Sequence, residues 1–236
     1  MAIRGLLFDF DGLILDTESA SYAGWQWIYG RHGHELDLEL WSGAVGTVAG
    51  FDPMAHLEEL LGRKLDWKTL NEQRAAHELS LLEAEELRPG IVDYLADSER
   101  LGLARAIVSS ASRDWIDLHL ARFERTLGWG AIVTADHDPG RAKPRPTLYL
   151  EALDLLGLEA AEAVAFEDSP NGVRAAKGAG VFTVAVPNAI TRNYGLEGAD
   201  LVLGSLADVP LEALLEQANE RRNGGRDDDH DEERRT

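Results

Sequence analysis

Short apolar runs recur along this chain, and most of them lie in its second half. The first run covers positions 5–8, has the length of a strand and is followed directly by an aspartate. Five further runs come after position 100, and each is followed by a polar or turn-forming residue; they cover 104–108, 131–134, 163–166, 182–186 and 201–203. The pattern predicts six strands.

Segments with helical spacing of apolar residues separate the later runs. They cover 91–100, 114–123, 147–156, 172–177 and 206–219. Strands that alternate with helices favour a parallel sheet with helices on both faces, because each strand has to start again from the same end of the sheet. We therefore predict an α/β fold whose core is a doubly wound, Rossmann-like parallel sheet.

Residues 17–88 interrupt this alternation. They contain no strand-like run, and helical patterns cover 18–33, 53–61 and 66–88, with a loop at 42–47. We predict a small all-helical cap domain at 17–88, inserted after the first strand. The α/β core then consists of residues 1–16 and 89–222. Residues 223–236 are charged and lack apolar periodicity, so we predict a disordered tail.

The charge balance narrows the choice of partners. Asp and Glu number 42 against 23 Lys and Arg, which gives a formal net charge of −19. A chain this acidic repels nucleic acids and anionic membranes, so we expect neither as a partner. We find no secretion signal and no apolar run of about 18 to 20 residues, the length needed to cross a bilayer. We expect a cytoplasmic monomer without disulfides, because the chain has no cysteine.

Two aspartates close the first strand-like run. Asp9 and Asp11 are two residues apart and stand immediately before Gly12. In an extended chain, side chains at i and i+2 point to the same side, so both carboxylates share one space. Unpaired carboxylates at a buried strand end repel each other and are costly to desolvate. The pair therefore indicates a cation and a reaction.

Further polar residues occupy the same position at other strands. Ser109 follows the second strand, Lys143 lies in the loop after the third, and Glu167 with Asp168 follows the fourth. The carboxyl ends of parallel strands meet at one edge of the sheet, where ligands bind in open α/β folds. Carboxylate oxygens suit Mg²⁺, the usual occupant when a phosphate completes the coordination shell. We name Asp9 and Asp168 as metal-ligand candidates, with a backbone carbonyl nearby.

The same edge offers donors for a phosphoryl group. Lys143 supplies a cation and Ser109 a hydroxyl, and backbone N–H groups at Gly12, Leu13 and Ser110 add further donors. Together these groups would neutralise a phosphoryl group enough for a carboxylate to attack it. The predicted substrate is therefore a phosphate ester.

Four motifs in this order resemble those of the haloacid dehalogenase-like hydrolase superfamily. The first is Asp9–Thr17 (DFDGLILDT), the second Ser109, the third Lys143 with Pro144, and the fourth 167–172 (EDSPNG). The resemblance extends to roughly Leu215, and the helical insertion is similar to the cap of the β-phosphoglucomutase-like branch.

The resemblance implies a role for each matched residue. Asp9 would be the nucleophile, forming an aspartyl-phosphate, and would also bind Mg²⁺. Asp11 would protonate the leaving oxygen and then deprotonate the attacking water, while its backbone carbonyl binds the metal. Ser109 and Lys143 would hold the phosphoryl group. Glu167 and Asp168 would complete the metal site directly or through water.

Residues of the predicted cap distinguish the phosphatases of this superfamily from its sugar-phosphate mutases. The resemblance places a histidine at position 21 and a basic residue after the cap-loop glycine in sugar-phosphate mutases. This chain has Ser21 instead, and Thr47 follows Gly46. We therefore expect a Mg²⁺-dependent phosphatase acting on small phosphomonoesters such as sugar phosphates, with a sugar phosphomutase as the alternative. A binding module without turnover is a third interpretation, which the presence of every motif residue disfavours.

The remaining conspicuous residues are expected to serve structure. Asp16 and Thr17 lie where the chain enters the cap, and a polar pair there more often satisfies backbone donors than performs chemistry. The six tryptophans, Trp115 among them, are expected to pack in the core or between the two domains.

Overall fold

A parallel sheet forms the centre of the computed structural model, which describes residues 2–42, 51–123 and 128–232, with backbone only for residue 42 and residues 222–232. Six strands lie in the order β3-β2-β1-β4-β5-β6. They are β1 (Gly5–Phe8), β2 (Ala104–Ser109), β3 (Ala131–Thr134), β4 (Ala163–Glu167), β5 (Phe182–Ala185) and β6 (Leu201–Val202). The doubly wound sheet predicted from the sequence is confirmed.

Nine helices are present in the described residues. Four lie between residues 17 and 88, where the sequence predicts the helical insertion: α1 (Thr17–Arg31), α2 (Leu38–Ser42), α3 (Pro53–Leu61) and α4 (Trp67–Leu82). Five belong to the alternating part: α5 (Ile91–Arg100), α6 (Arg113–Leu120), α7 (Thr147–Leu156), α8 (Pro170–Gly178) and α9 (Leu211–Glu232). Short 3₁₀ helices lie at Ala121–Phe123, Ala160–Glu162 and Leu206–Asp208.

Strand β1 lies at the middle of the sheet and pairs with β2 on one side and β4 on the other. Phe8, its last residue, is in register with Ile107 and with Phe166. The chain therefore leaves β1 between the ends of two neighbouring strands, at the point where the strand order reverses direction. This is the position in the fold where a loop after β1 meets the loops after β2 and β4.

Two apolar layers cover the faces of the sheet. One includes Phe8, whose ring stacks on Phe166 with centroids 4.8 Å apart, and it continues into α5 through Tyr94. The other layer packs α7 and α8 against the opposite face, with Tyr149 fully buried within it. Burial on both faces explains why the strands read as continuous apolar runs rather than as alternating patterns.

The helices between 17 and 82 have an apolar cluster of their own. Trp25, Ile28 and Tyr29 of α1 pack with Leu57 of α3, and Ile190 from the sheet side joins them. Asp16 is the N-cap of helix α1, and its side chain accepts a hydrogen bond from Ser19 N at 3.0 Å. In the described residues 17–42 and 51–88 there is no strand. Whether these helices form a separate domain stays a prediction, and most of the expected loop at 42–47 lies outside the described residues.

Several predicted helix boundaries differ from the structure. Helix α4 ends at Leu82 rather than at 88, since the residues before Pro89 turn back to the core and Arg88 N donates to Ile14 O at 2.9 Å. The helix expected at 206–219 is divided: a 3₁₀ turn capped by Ser205 ends before Pro210, and α9 starts after it.

Helix α9 includes most of the segment that the sequence predicts as a disordered tail. It continues to Glu232, so the backbone of 223–232 is helical where the sequence predicted no regular structure. No proline follows Pro210, so the backbone N–H groups that a helix needs are present up to this point, despite Gly224 and Gly225. No helix in the described ranges combines the length and the apolar character required to cross a bilayer.

Candidate active site

The loop after β1 carries the two aspartates and closes on itself. Asp9 N donates to Phe166 O at 3.0 Å, which extends the β1–β4 pairing by one residue. Gly12 then adopts a φ of +78°, and a Cβ at that position would overlap the carboxylate of Asp168. Glycine is required here both for the left-handed backbone and for the close approach. Arg88 fixes the turn by donating to Gly12 O at 2.5 Å.

Lys143 joins the loop after β3 to the ends of β1 and β4. Its Nζ forms ion pairs with Asp9 and with Oε1 of Glu167, the second at 2.7 Å, and its side chain is only 6% exposed. The hydroxyl of Tyr149 donates to the same Glu167 carboxylate. Burial alone would lower the pKa of Lys143, but the two carboxylates raise it above its ordinary value, so the side chain is an ammonium group.

Asp168 lies beside this ion pair, and Asn188 in the loop after β5 orients its carboxylate. Asn188 Nδ2 donates to Asp168 Oδ2 at 2.7 Å, and Asn188 Oδ1 accepts from Ile190 N and Thr191 N. These two backbone donors fix the rotamer of the amide, and with it the oxygen that Asp168 presents. Carboxylate oxygens of Asp9, Glu167 and Asp168 lie within 4.8 Å of one another.

This group fits a divalent cation. All three carboxylates are buried, and one ammonium group, that of Lys143, faces them. Burial raises the pKa of Asp9, of Glu167 to about 7, and of Asp168, whose neighbours Asp9 and Glu167 raise it further. Oε2 of Glu167 has no hydrogen-bond partner among the described residues. An all-oxygen donor set with surplus negative charge is what a hard divalent cation prefers.

Asp11 is held by a separate set of donors. Thr17 Oγ1 and Trp115 Nε1 donate to its Oδ1 at 3.0 and 2.8 Å, and Ser109 Oγ donates to Oδ2 at 3.2 Å. Burial raises the pKa of Asp11, and the hydrogen bond from Trp115 is the strongest opposing influence. The side chain of Asp11 is not part of the three-carboxylate group.

The N–H groups of Gly12 and Leu13 have hydrogen-bond partners within the turn. Gly12 N donates to Leu15 O at 2.8 Å and Leu13 N to Phe10 O at 3.3 Å, so both N–H groups stabilise the turn rather than face a ligand. Ser110 Oγ accepts from Lys143 N at 3.1 Å and thereby anchors the third-motif loop. A glycine-containing turn often satisfies its own N–H groups in this way.

Four residues that contact the site were not predicted from the sequence as site residues. Asn188 follows the fifth strand, so applying the strand-end rule to that strand would have found it. Thr17 and Trp115 were expected to serve structure only, yet both donate to Asp11. Nothing local in the sequence marks Tyr149 as a partner of Glu167, since it lies within an ordinary amphipathic helix.

The first turn of α1 adds another carboxylate near the aspartates. Burial raises the pKa of Glu18 to about 7, and the negative charges of Asp11 and Asp9 add to the shift. Glu78 of α4 contributes to it as well and forms an ion pair with Arg74 at 2.6 Å. The helical segment therefore brings acidic groups toward the two aspartates.

The fold and the site together define an α/β protein with an acidic, lysine-containing centre at the carboxyl ends of its strands. The family model described as haloacid dehalogenase-like hydrolase matches residues 6–186. This chain belongs to that family of hydrolases, as the motif resemblance predicted.

Individual relatives extend the comparison over most of the chain. A Bacillus subtilis (strain 168) protein named "Putative phosphatase YhcW" is 42% identical over 217 residues, covering 92% of this chain and 98% of the relative. Protein CbbY of Cupriavidus necator is 32% identical, with 90% and 89% covered. A crystal structure of CbbY from Rhodobacter sphaeroides in complex with phosphate superposes with a TM-score of 0.67 at 28% identity, covering 87% of this chain and 96% of that one.

Proposed function

We propose that this protein is a Mg²⁺-dependent phosphatase that hydrolyses small phosphomonoesters, such as sugar phosphates, through an aspartyl-phosphate. The observation that carries the proposal is the buried group of Asp9, Glu167 and Asp168 around Lys143. The name of the 42% identical relative and the phosphate bound by the CbbY structure support the same class of substrate.

Asp9 is the proposed nucleophile. It directly follows the central strand, where its position is fixed by the Asp9 N–Phe166 O bond, and Lys143 contacts its carboxylate. One carboxylate oxygen attacks phosphorus as the bond to the leaving oxygen breaks. Lys143 holds the phosphoryl oxygens and balances the charge that develops on them. Water then displaces phosphate from Asp9 in the second half of the reaction.

Asp9, Glu167 and Asp168 are the proposed holders of Mg²⁺, together with the backbone carbonyl of Asp11. A bound Mg²⁺ would neutralise the phosphoryl oxygens and favour the ionised forms of the buried carboxylates. Asn188 orients Asp168 and Tyr149 orients Glu167 for this purpose. Outer partners of this kind fix the direction of metal-binding oxygens.

Asp11 is the proposed general acid and base. It gives a proton to the leaving oxygen and later takes one from the attacking water. Thr17, Ser109 and Trp115 donate to its carboxylate, whereas Lys143 contacts the carboxylate of Asp9. These different partners let one aspartate remain a nucleophile while its neighbour moves protons.

Phosphate release from a panel of phosphate monoesters tests the proposal. We expect turnover with Mg²⁺ and none after removal of divalent metal by chelation. Asp9→Asn should abolish turnover, because an amide cannot form the acyl phosphate. Asp16→Asn is the matched control, since asparagine caps a helix as well as aspartate does. Turnover by Asp9→Asn at the wild-type rate would refute the nucleophile.

Conversion of a hexose 1-phosphate into its 6-phosphate isomer would identify a mutase instead. The described residues of α1 and α4 near the aspartates contribute Glu18 and Glu78, and Arg74 of α4 is paired with Glu78. Residues 43–50 add no charged side chain. A second phosphate would meet negative charge there, which favours transfer to water over transfer between two ends of a bisphosphate.

A further inference from the structure

Asp11 and Trp115 are joined by a hydrogen bond that spans 104 positions of the chain. Nε1 of the indole lies 2.8 Å from Asp11 Oδ1 and is the closest of the three donors to this carboxylate. A hydrogen bond to an ionised acceptor contributes more than one between neutral groups.

The indole is held in place from two directions. Trp115 lies in the first turn of α6, where its backbone N donates to the N-cap Ser112 Oγ at 3.3 Å. The ring meets His119 edge to face, with centroids 4.2 Å apart. A capped helix start and a packed ring restrict the indole to one orientation, so its N–H is a fixed feature of the site.

The chemistry of the three donors differs in one respect. The hydroxyls of Thr17 and Ser109 can donate or accept, whereas an indole N–H can only donate. Oδ1 of Asp11 must therefore remain an acceptor as long as Trp115 is bound to it. An unprotonated carboxyl oxygen accepts more strongly than a protonated one, so the bond from Trp115 favours a proton on Oδ2, whose partner Ser109 is able to accept as well as donate.

We propose that Trp115 is a positioning residue for proton transfer: its indole N–H keeps Oδ1 of Asp11 as an acceptor and leaves Oδ2 to give and take the proton. The inference rests on the proposed phosphatase function. In the first half, Asp9 forms a bond to phosphorus, the ester P–O bond breaks, and the leaving oxygen takes the proton from Oδ2. In the second half, Oδ2 takes a proton from water, the water oxygen bonds to phosphorus, and the P–O bond to Asp9 breaks.

The test compares two esters that differ in their need for an acid. The leaving oxygen of p-nitrophenyl phosphate departs without protonation, whereas that of an alkyl phosphate such as glycerol phosphate needs a proton. General acid catalysis contributes about 10²- to 10⁴-fold, so partial misplacement of the acid in Trp115→Phe should lower kcat/KM for the alkyl ester by about tenfold or more. For the aryl ester we expect a change of less than about threefold, because kcat/KM covers only the steps up to loss of the leaving group.

Trp129→Phe is the matched control. The indole N–H of Trp129 has no hydrogen-bond partner among the described residues, so this variant makes the same change of ring without losing a hydrogen bond. Trp129 also packs against Phe8 of the central strand, with centroids 5.7 Å apart. We expect the ratio of the two kcat/KM values to stay at the wild-type level in this variant.

Each outcome of the comparison decides the proposal. An equal loss on both esters, or no loss on either, would show that Trp115 has a structural role only. If Trp115→Phe does not fold, Trp115→Gln and Trp115→Met are compared, since they are similar in length and only Gln offers an N–H. A ratio no better in Trp115→Gln than in Trp115→Met would overturn the proposal. If the proposed phosphatase function itself is wrong, wild type will hydrolyse neither ester, and this result is distinct from those that overturn the role of Trp115.

Discussion

Lys143 Nζ lies 2.7 Å from Oε1 of Glu167 and contacts Asp9 as well, so one ammonium group links the end of the central strand to the end of β4. The three side chains are almost fully buried. Two carboxylates of like charge would repel each other in this setting, and Lys143 is what allows them to be close.

Lys143→Met should therefore reduce activity and stability together. We expect kcat/KM to fall by about 100-fold or more, because an electrostatic contact to the phosphoryl group is lost. The free energy of unfolding should fall by about 3 kcal/mol, as is typical when one partner of a buried ion pair is removed. Kinetics and urea unfolding measure the two effects.

Lys177→Met provides the control for that change. Lys177 pairs with Asp200 at 2.7 Å but is 39% exposed, so its ion pair contributes little to stability. Activity should stay within about twofold of wild type, as for most surface substitutions away from the site. An equal effect of the two substitutions on activity and stability would contradict the role assigned to the buried ammonium group of Lys143.

Gly12→Ala should weaken metal binding. The new Cβ would overlap Asp168 and would lie 2.6 Å from Asn188 Nδ2, so the metal-facing carboxylate has to move. Gly33→Ala is a close control, because Gly33 has a φ of +77° and nothing lies within 4 Å of its Cβ position. Both variants should lose about 1 kcal/mol of stability from left-handed strain. Only Gly12→Ala should need more Mg²⁺ for half-maximal activity, and a similar Mg²⁺ requirement in both would refute the argument.

Asn188→Ala should raise the Mg²⁺ requirement without a change at any metal-binding atom. Loss of the 2.7 Å bond to Asp168 frees that carboxylate to rotate, and the loss of outer partners typically costs about 10- to 100-fold in metal affinity. Thr191→Val is the control. It removes the hydroxyl that accepts the hydrogen bond from Asn188 N in the same turn, but it leaves the bond between Asn188 and Asp168 in place. Mg²⁺ titrations of activity compare the two variants. A larger effect from Thr191→Val would point to the turn rather than to Asp168.

Glu18→Gln should change how stability depends on pH in the metal-free protein. The pKa of Glu18 is raised from 4.5 to about 7 by burial and by neighbouring carboxylates, so the folded state binds its proton more tightly than the unfolded state does. This contribution to stability is fully present below pH 4.5 and is lost as the pH rises through 7.

The amide in Glu18→Gln needs no proton. Its Tm should exceed that of wild type at pH 8 and approach it at pH 4. Glu72→Gln on the exposed side of α4 is the control and should change Tm at pH 8 by less than Glu18→Gln does. Thermal melts in the presence of a chelator provide the measurement, and a pH-independent difference for Glu18→Gln would contradict the prediction.

The sequence alone determined the sheet and its carboxyl edge. Apolar runs of strand length are a local property, and strands that alternate with helices leave few topologies open. Asp9, Ser109 and Asp168 lie at the carboxyl ends of those runs. Because the strands are parallel, these residues are brought to one edge of the sheet. Lys143 was found in the same way, from the loop that follows β3.

Tertiary structure alone decided which groups hold those side chains. Trp115 reaches Asp11 across 104 positions and Asn188 reaches Gly12 across 176, through contacts that depend on how α6 and the end of β5 pack on the central strand. Neither segment has a local pattern that specifies a partner so far away. Packing therefore determined the partners of Asp11 and Asp168, while local pattern determined only where the two aspartates lie.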